Sequence, residues 1–320
     1  MVGKLTPITQ LSCSRLPSVM GYSPWKTPND ELAETLDALD QKPAREWTGN
    51  EATRWGDRLE PVILAEVAQR LGVMLEQPTV PYPAPDGLAL NASLDGIGHP
   101  QEEPFEVVTD PDRGIYVIGA DRVVIDGPGV LESKLTQSQP EDEPAAYRGP
   151  IQIQGCMLCA GLTWGAIGVL YRGIELRVFV YPRSQAVIDQ ITDAVTQFER
   201  RKAERDWYPP VSTADAAKTW ATPNDAAPPV DLPQDAVGLI DDILTAKQMI
   251  TVAEETLDAA QAALMEMLGN SMEGIAADAD GTRYRVRWPV RKYKAQPAKA
   301  TPAKEAYQIR QKTLDIKTID

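Results

Sequence analysis

Glu132 and Lys134 stand two residues apart in the otherwise apolar segment GVLESKL, residues 129–135. On a β-strand alternate residues share a face, so Val130, Glu132 and Lys134 point one way and Leu131, Ser133 and Leu135 the other. A carboxylate beside an ammonium suits phosphodiester hydrolysis. The carboxylate can hold Mg²⁺, while the lysine helps orient or deprotonate the attacking water and offsets developing charge. An exposed edge strand with two solvated charges would read the same way, so the pair needs company. Upstream, NASLDG brings Asp95 into a turn at Gly96, offering a second carboxylate at a strand end. Mg²⁺ favours such oxygen ligands, although Asp-Gly is also an ordinary hairpin turn. In WGDRLEPVI, Glu60 lies off the apolar stripe of a helical stretch, placed to reach a metal or its water, or simply to face solvent.

The elements that must position these residues can be read from the pattern. A helix is expected from Asn29 to about Leu39, with Asn29 as N-cap and Leu32, Leu36 and Leu39 on one face. A second is capped by Asn50, repeats Trp55, Leu59, Val62, Ile63 and Val67 at helical spacing, and stops at Gly72. Pro61 implies a kink or a later start near Glu60. Strands follow in LALNASLDG, GIYVIGA, RVVIDG and GVLESKL. An apolar helix is expected over 151–162, then AIGVLYRG and ELRVFVYP joined by Arg172-Gly173, then a helix over 184–205. Residues 209–233, rich in Pro and Ala, read as a linker or surface strap. A long helix over 234–268 and the strand RYRVRW precede the terminus. The expected organisation is a core over 1–208, the strap over 209–233, and a C-terminal helix and basic tail over 234–320.

The formal net charge is -14, which argues against a protein that coats nucleic acid by overall charge. It does not exclude a nuclease, which needs clustered carboxylates. From Thr282 onward eleven Lys or Arg face three acids, so that end is basic. Three cysteines cannot complete a set of internal disulfides, and neither a signal peptide nor a membrane span is evident. A cytoplasmic, reduced protein is the expectation.

The order GYSPWKTP, WGDRLEPVI, NASLDG, GVLESK and QIQ resembles the YqaJ-type viral recombinases, relatives of lambda exonuclease within the PD-(D/E)XK nuclease superfamily. The resemblance spans roughly residues 12–185. It implies an α/β fold with a restriction-endonuclease-like core: a central mixed sheet flanked by helices, followed by the C-terminal helical region and basic tail. It also implies roles. Asp95 and Glu132 would be metal ligands, with the carbonyl of Ser133 a further one. Lys134 would assist the water, and Glu60 would bind a second metal or its water shell. Gln152, ahead of Gln154, would position the water or the scissile phosphate. Ser14 and Arg15 would contact a 5′-phosphate. The 36 residues between Asp95 and Glu132 exceed the family's usual short turn. The insert over 99–126 reads as an extra hairpin, and it makes Asp126 a competitor for Asp95.

Cys156 and Cys159 form a C-x-x-C, but an iron–sulfur cluster needs four thiolates and none is expected. With His99 the only histidine, a zinc site is not expected either; buried small hydrophobes fit better. Trp25 and Lys26 could line a DNA end or pack the N-terminal lobe. Arg283, Arg285 and Arg287, with Arg291, Lys292 and Lys294 beyond, could track phosphates or pair with acidic surface. The expected function is a Mg²⁺-dependent exonuclease, with Mn²⁺ able to substitute. It would act 5′-to-3′ on linear double-stranded DNA ends in phage-type recombination, alongside a single-strand annealing protein. By resemblance, a homo-oligomer is expected. The alternatives are a RecB-like or structure-specific endonuclease, and a non-catalytic DNA-binding scaffold retaining the fold.

Overall fold

A computed structural model describes residues 6–43, 49–101, 104–221 and 227–289. The chain divides into two compact units, Met1–Trp220 and Ala221–Asp320. The first unit carries, in order, β1 (Leu11–Ser12), α1 (Leu16–Val19), α2 (Pro28–Leu39), α3 (Glu51–Leu71), β2 (Val73–Glu76), β3 (Tyr82–Pro83), β4 (Leu90–Ala92) and β5 (Gly96–Pro100). It continues with β6 (Phe105–Val108), β7 (Ile115–Val117), β8 (Arg122–Ile125), β9 (Gly129–Thr136), α4 (Pro150–Ala160), β10 (Trp164–Tyr171), β11 (Glu175–Pro182), α5 (Gln185–Glu204) and α6 (Thr213–Thr219). The second unit holds α7 (Ala236–Leu268) and the hairpin of β12 (Glu273–Ala277) and β13 (Arg283–Arg287).

The core is a mixed six-stranded sheet in the order β2-β5-β9-β10-β11-β7. Helices cover both faces, and the alternation along β10 shows how. Ile167, Val169 and Tyr171 join the cluster that includes residues of α1, α2, α4 and α5. Trp164 and Ala166 join the one that contains Ile63, Leu64 and Val67 of α3. Gly168 permits the close approach of α3, because a Cβ there would sit 2.3 Å from Val67 Cγ2. The β10–β11 hairpin closes through Arg172 and Gly173, both at positive φ, the conformation a tight two-residue turn requires.

Several expected boundaries shift for local reasons. Thr27, rather than Asn29, caps α2, through a capping box with Asp30. Asn29 is buried instead, where its side chain accepts from the Tyr208 N–H at 2.8 Å and donates to the Tyr208 carbonyl at 3.0 Å. Leu39 lies outside the core. The helix α3 starts at Asn50, whose Oδ1 accepts from the Thr53 N–H, and runs through Pro61 to a left-handed Gly72. Its buried stripe holds Ile63, Leu64, Val67, Ala68 and Leu71, while Trp55 and Val62 stay exposed. GIYVIGA and RVVIDG do not pair as a hairpin. β7 joins the central sheet parallel to β11, whereas β8 pairs with β6 in a separate ribbon.

Within the proline-rich stretch 209–233, α6 is a folded helix held to α2. Asp215 is 2% exposed and accepts from Thr27 Oγ1 at 2.8 Å, Asn29 Nδ2 at 3.0 Å and the Val211 N–H at 3.0 Å. Burying a carboxylate this deeply is tolerable only with several donors around it. Among the described residues, no helix is long and apolar enough to cross a membrane.

Candidate active site

β9 is the spine of the site. Its first residues pair with β5 on one side, Gly129 with Gly98 and Leu131 with Gly96, and with β10 on the other. The β5 ladder stops at Gly96, leaving the next edge-facing N–H of β9, that of Ser133, without a strand partner. Asp95, the residue just before β5, supplies the acceptor: its Oδ2 takes the Ser133 N–H at 3.0 Å and the Ser133 hydroxyl at 3.3 Å. A side chain thus replaces the missing rung and fixes Asp95 against β9. The carbonyl of a strand residue points to the same edge as its N–H, so that of Ser133 faces this edge as well.

Glu132 and Lys134 lie on the opposite face of β9, toward α4. Their register with Ile167 and Val169 puts them on the side covered by Ile153 and Met157. Gln152, on the first turn of α4, closes a triangle. It donates from Nε2 to Glu132 Oε1 at 2.7 Å and accepts from Lys134 Nζ at 3.1 Å, while Lys134 donates to Glu132 Oε1 at 2.5 Å. Glu132 is 1% exposed. Its second oxygen, Oε2, is buried and has no hydrogen-bond partner.

This burial and the facing carboxylate of Asp95 push the Glu132 carboxyl up to about 8, against the opposing pull of Lys134. Burial draws Lys134 down, but Glu132 and Asp95 more than offset it, so its ammonium is held above the usual lysine value. Glu60, half-way along α3, approaches from the other face of the sheet. Its own burial first, then the charges of Asp95 and Asp57, raise its carboxyl. Three carboxyl groups therefore crowd one sheet edge with one ammonium among them. Such a cluster stores repulsion that a cation would relieve.

Among the described residues, no three Asp, Glu, His or Cys side chains form a ready ligand set. The donors nonetheless fit a hard divalent cation. The orphaned Glu132 Oε2, the carboxylate of Asp95 and the edge-facing Ser133 carbonyl are oxygens, and Mg²⁺ characteristically takes one or two carboxylates and completes its shell with water and substrate.

Not every expected residue joins the site. Asp126 sits three residues before β9, at the far end from Lys134, and is exposed beside the turn at Gly127. Its distance along the strand removes it as a competitor for Asp95. Ser14 is exposed. Arg15 is not available to a phosphate. Its guanidinium has five N–H groups, and they serve Glu31 Oε2, the carbonyls of Ile8, Gln10 and Glu31, and Thr35 Oγ1. In the second unit, Arg285 and Arg287 reach Glu273 across the hairpin at 3.7 and 3.4 Å. Arg283 opens the same strand. Arg291, Lys292 and Lys294 lie outside the described residues. Cys156 and Cys159 are buried as expected for small hydrophobes, and Cys13 joins them, with its Sγ 3.7 Å from that of Cys159.

A cleft that the sequence pattern signalled only through Trp25 adjoins Lys134. It has a volume of about 910 Å³ and is lined by Trp25, Trp55, Tyr147 and Arg148 together with Lys134 and the end of β9. Trp25 is 75% exposed and meets Tyr147 edge-on at 4.9 Å. The sequence offered Trp25 as a residue for a DNA end but read Trp55 as part of the α3 stripe, from which the structure leaves it exposed.

Residues 8–162 match the family model described as the YqaJ-like viral recombinase domain. No curated protein sequence matches the chain. Among solved structures, the chain is similar to LHK-Exo in complex with dAMP, with 17% identity and a TM-score of 0.45, over 62% of this chain and 90% of that one. It is also similar to LHK-Exo, an alkaline exonuclease from Laribacter hongkongensis, with 18% identity and a TM-score of 0.44, over 62% and 90%. A phage related exonuclease from Haemophilus somnus 129PT is similar at 15% identity and a TM-score of 0.40, over 61% and 94%.

Proposed function

From the YqaJ-like viral recombinase domain of residues 8–162, we infer that the protein is a nuclease of phage-type recombination, cutting DNA by divalent-metal-dependent phosphodiester hydrolysis. The observation that carries this reading is the buried Glu132, with one oxygen tied to Lys134 and Gln152 and the other unpartnered beside Asp95. Asp95, Glu132 and the Ser133 carbonyl would hold Mg²⁺ or Mn²⁺, and Glu60 would serve a second ion or its hydration. A divalent cation there would neutralise the phosphate and the departing oxygen. Lys134, held as an ammonium, orients the attacking water and stabilises the charge that develops as it attacks. Gln152 fixes the rotamers of both Glu132 and Lys134, so the groups are held before substrate arrives.

The substrate is double-stranded DNA with a free end, degraded 5′-to-3′. Its separated strand passes the cleft of Trp25, Trp55 and Tyr147, where aromatic faces stack unpaired bases without regard to sequence. Ser14 remains a phosphate contact in this reading, whereas Arg15 supports it from behind through the N-terminal segment. A single-strand annealing protein is the natural consumer of the product. With Mg²⁺, the wild-type protein should shorten linear duplex DNA and leave the covalently closed circle intact. Lys134→Ala should abolish cleavage yet bind the same DNA. Digestion of the circle would indicate an endonuclease, and failure of the wild type to cut any DNA with either metal would leave only a scaffold.

A further inference from the structure

The chain between β9, which carries Glu132 and Lys134, and α4, which carries Gln152, forms one wall of the cleft beside Lys134, through Gln137, Ser138, Tyr147 and Arg148. Among the described residues lining this cleft there are two cations, Lys134 and Arg148, and one acid, Glu51. Lys134 is committed to Glu132 and Gln152, and Glu51 pairs with Arg54. Arg148 is the cation left to meet an anion entering the cleft.

Its hydrogen bonds leave room for one. Nη1 donates to Glu141 Oε2, while Nη2 donates to Ser138 Oγ at 3.0 Å and to the Tyr147 hydroxyl at 3.1 Å. The guanidinium also lies over the Tyr147 ring, 5.4 Å from its centroid. Of the five N–H groups of an arginine, the one on Nε and the second on Nη1 have no acceptor among the described residues. Arg15 is the contrast, since all of its donors serve the protein.

Glu141, the counter-ion, is anchored independently of Arg148. Its carbonyl accepts from Arg177 Nη1 at 2.9 Å, and the Tyr171 hydroxyl donates to its Oε2 at 3.4 Å. Burial, then the charge of Glu141, push the Tyr171 phenol up to about 12, so it stays a donor. The carboxylate can turn from Arg148 toward Tyr171 without uprooting the loop.

Resting on the reading of the protein as a DNA nuclease, we propose that Arg148 binds a backbone phosphate of the strand in the cleft, and that Glu141 holds its guanidinium in the free protein and competes with that phosphate. A guanidinium fork and a phosphate pair through charge-assisted hydrogen bonds. On a chain of net charge -14, a strand stacked on aromatic faces needs such a local cation to offset repulsion of its phosphates.

The test is fluorescence anisotropy of the full chain with a labelled phosphorothioate single strand in EDTA, so that binding is read without cleavage. Arg148→Gln should weaken binding at least about tenfold. It should also flatten the slope of log Kd against log salt by about 0.7, the share of one phosphate on a single strand. Strands with and without a 5′-phosphate should respond alike, because the contact is to an internal phosphate. Glu141→Gln keeps an acceptor for Arg148 and Tyr171 but removes the competing charge, and should tighten binding about fivefold. A pair that only braces the loop predicts weaker binding by Glu141→Gln and an unchanged salt slope for Arg148→Gln, and either result overturns the proposal. So does a wild type that does not bind the strand, or a loss in Arg148→Gln confined to strands with a 5′-phosphate. A wild type that binds but never cuts DNA sinks the nuclease reading alone, whereas a normal salt slope in an Arg148→Gln protein that still cuts sinks this contact alone.

Discussion

Replacing Glu132 by Gln tests whether its buried carboxylate is built for a cation. In the metal-free protein, burial and Asp95 raise the carboxyl from 4.5 to about 8. Between those values the folded state holds a proton that the unfolded state releases. Stability therefore declines as pH rises from 4.5 through 8, by about 1.4 kcal/mol per pH unit at most. Lys134 is protonated in both states across this window and adds no slope. Urea denaturation of the metal-free wild type from pH 5 to 9 should show this decline, and Glu132→Gln should lack it. Gln can still accept from Lys134 and Gln152, so the variant should fold. A cation that binds only the ionised carboxylate must displace the proton. Its stabilisation of the wild type, about 2.7 kcal/mol at a hundredfold excess over Kd, should be retained above pH 8 and weaken below it. The variant should gain little. An equal gain by Glu132→Gln, or a wild-type gain independent of pH, would refute the argument.

Other consequences are as specific. Arg15→Ala leaves the buried Glu31 with only Lys26, 3.6 Å away, and should cost about 3 kcal/mol in urea unfolding; a phosphate-binding arginine would instead cost DNA affinity with little loss of stability. Trp25→Ala should weaken single-stranded DNA binding by about 1–3 kcal/mol in fluorescence anisotropy with a non-hydrolysable strand, with the fold unchanged. Asp215→Ala removes the acceptor that docks α6 and should cost more than about 2 kcal/mol. It should also open the chain near Val211 to limited proteolysis.

The alternation of GVLESKL was enough to put Glu132 and Lys134 on one face, because strand geometry is local. Caps and stops were legible for the same reason at Asn50, Gly72 and Arg172-Gly173. The N-cap of α2 was not, because Asn29 and Thr27 are both good caps and only the docking of Tyr208 and Asp215 decides which side chain is spent elsewhere. Arg15 carried the right charge in a plausible place. Its five donors are claimed by groups up to 20 residues away in sequence, and no local pattern records that.

The sequence alone determined which residue types could meet: a strand bearing an acid and a lysine, a separate acid at Asp95, and an apolar helix opening near Gln152, whereas the turn expected at Gly96 is instead the first residue of β5. Only the tertiary structure decided that β5 ends one rung early, so that Asp95 caps the Ser133 N–H and faces Glu132 while Asp126 is left at the far end of the strand. The physical reason is that side-chain direction is set by neighbouring residues, whereas burial and facing charge depend on chain segments brought together by the core.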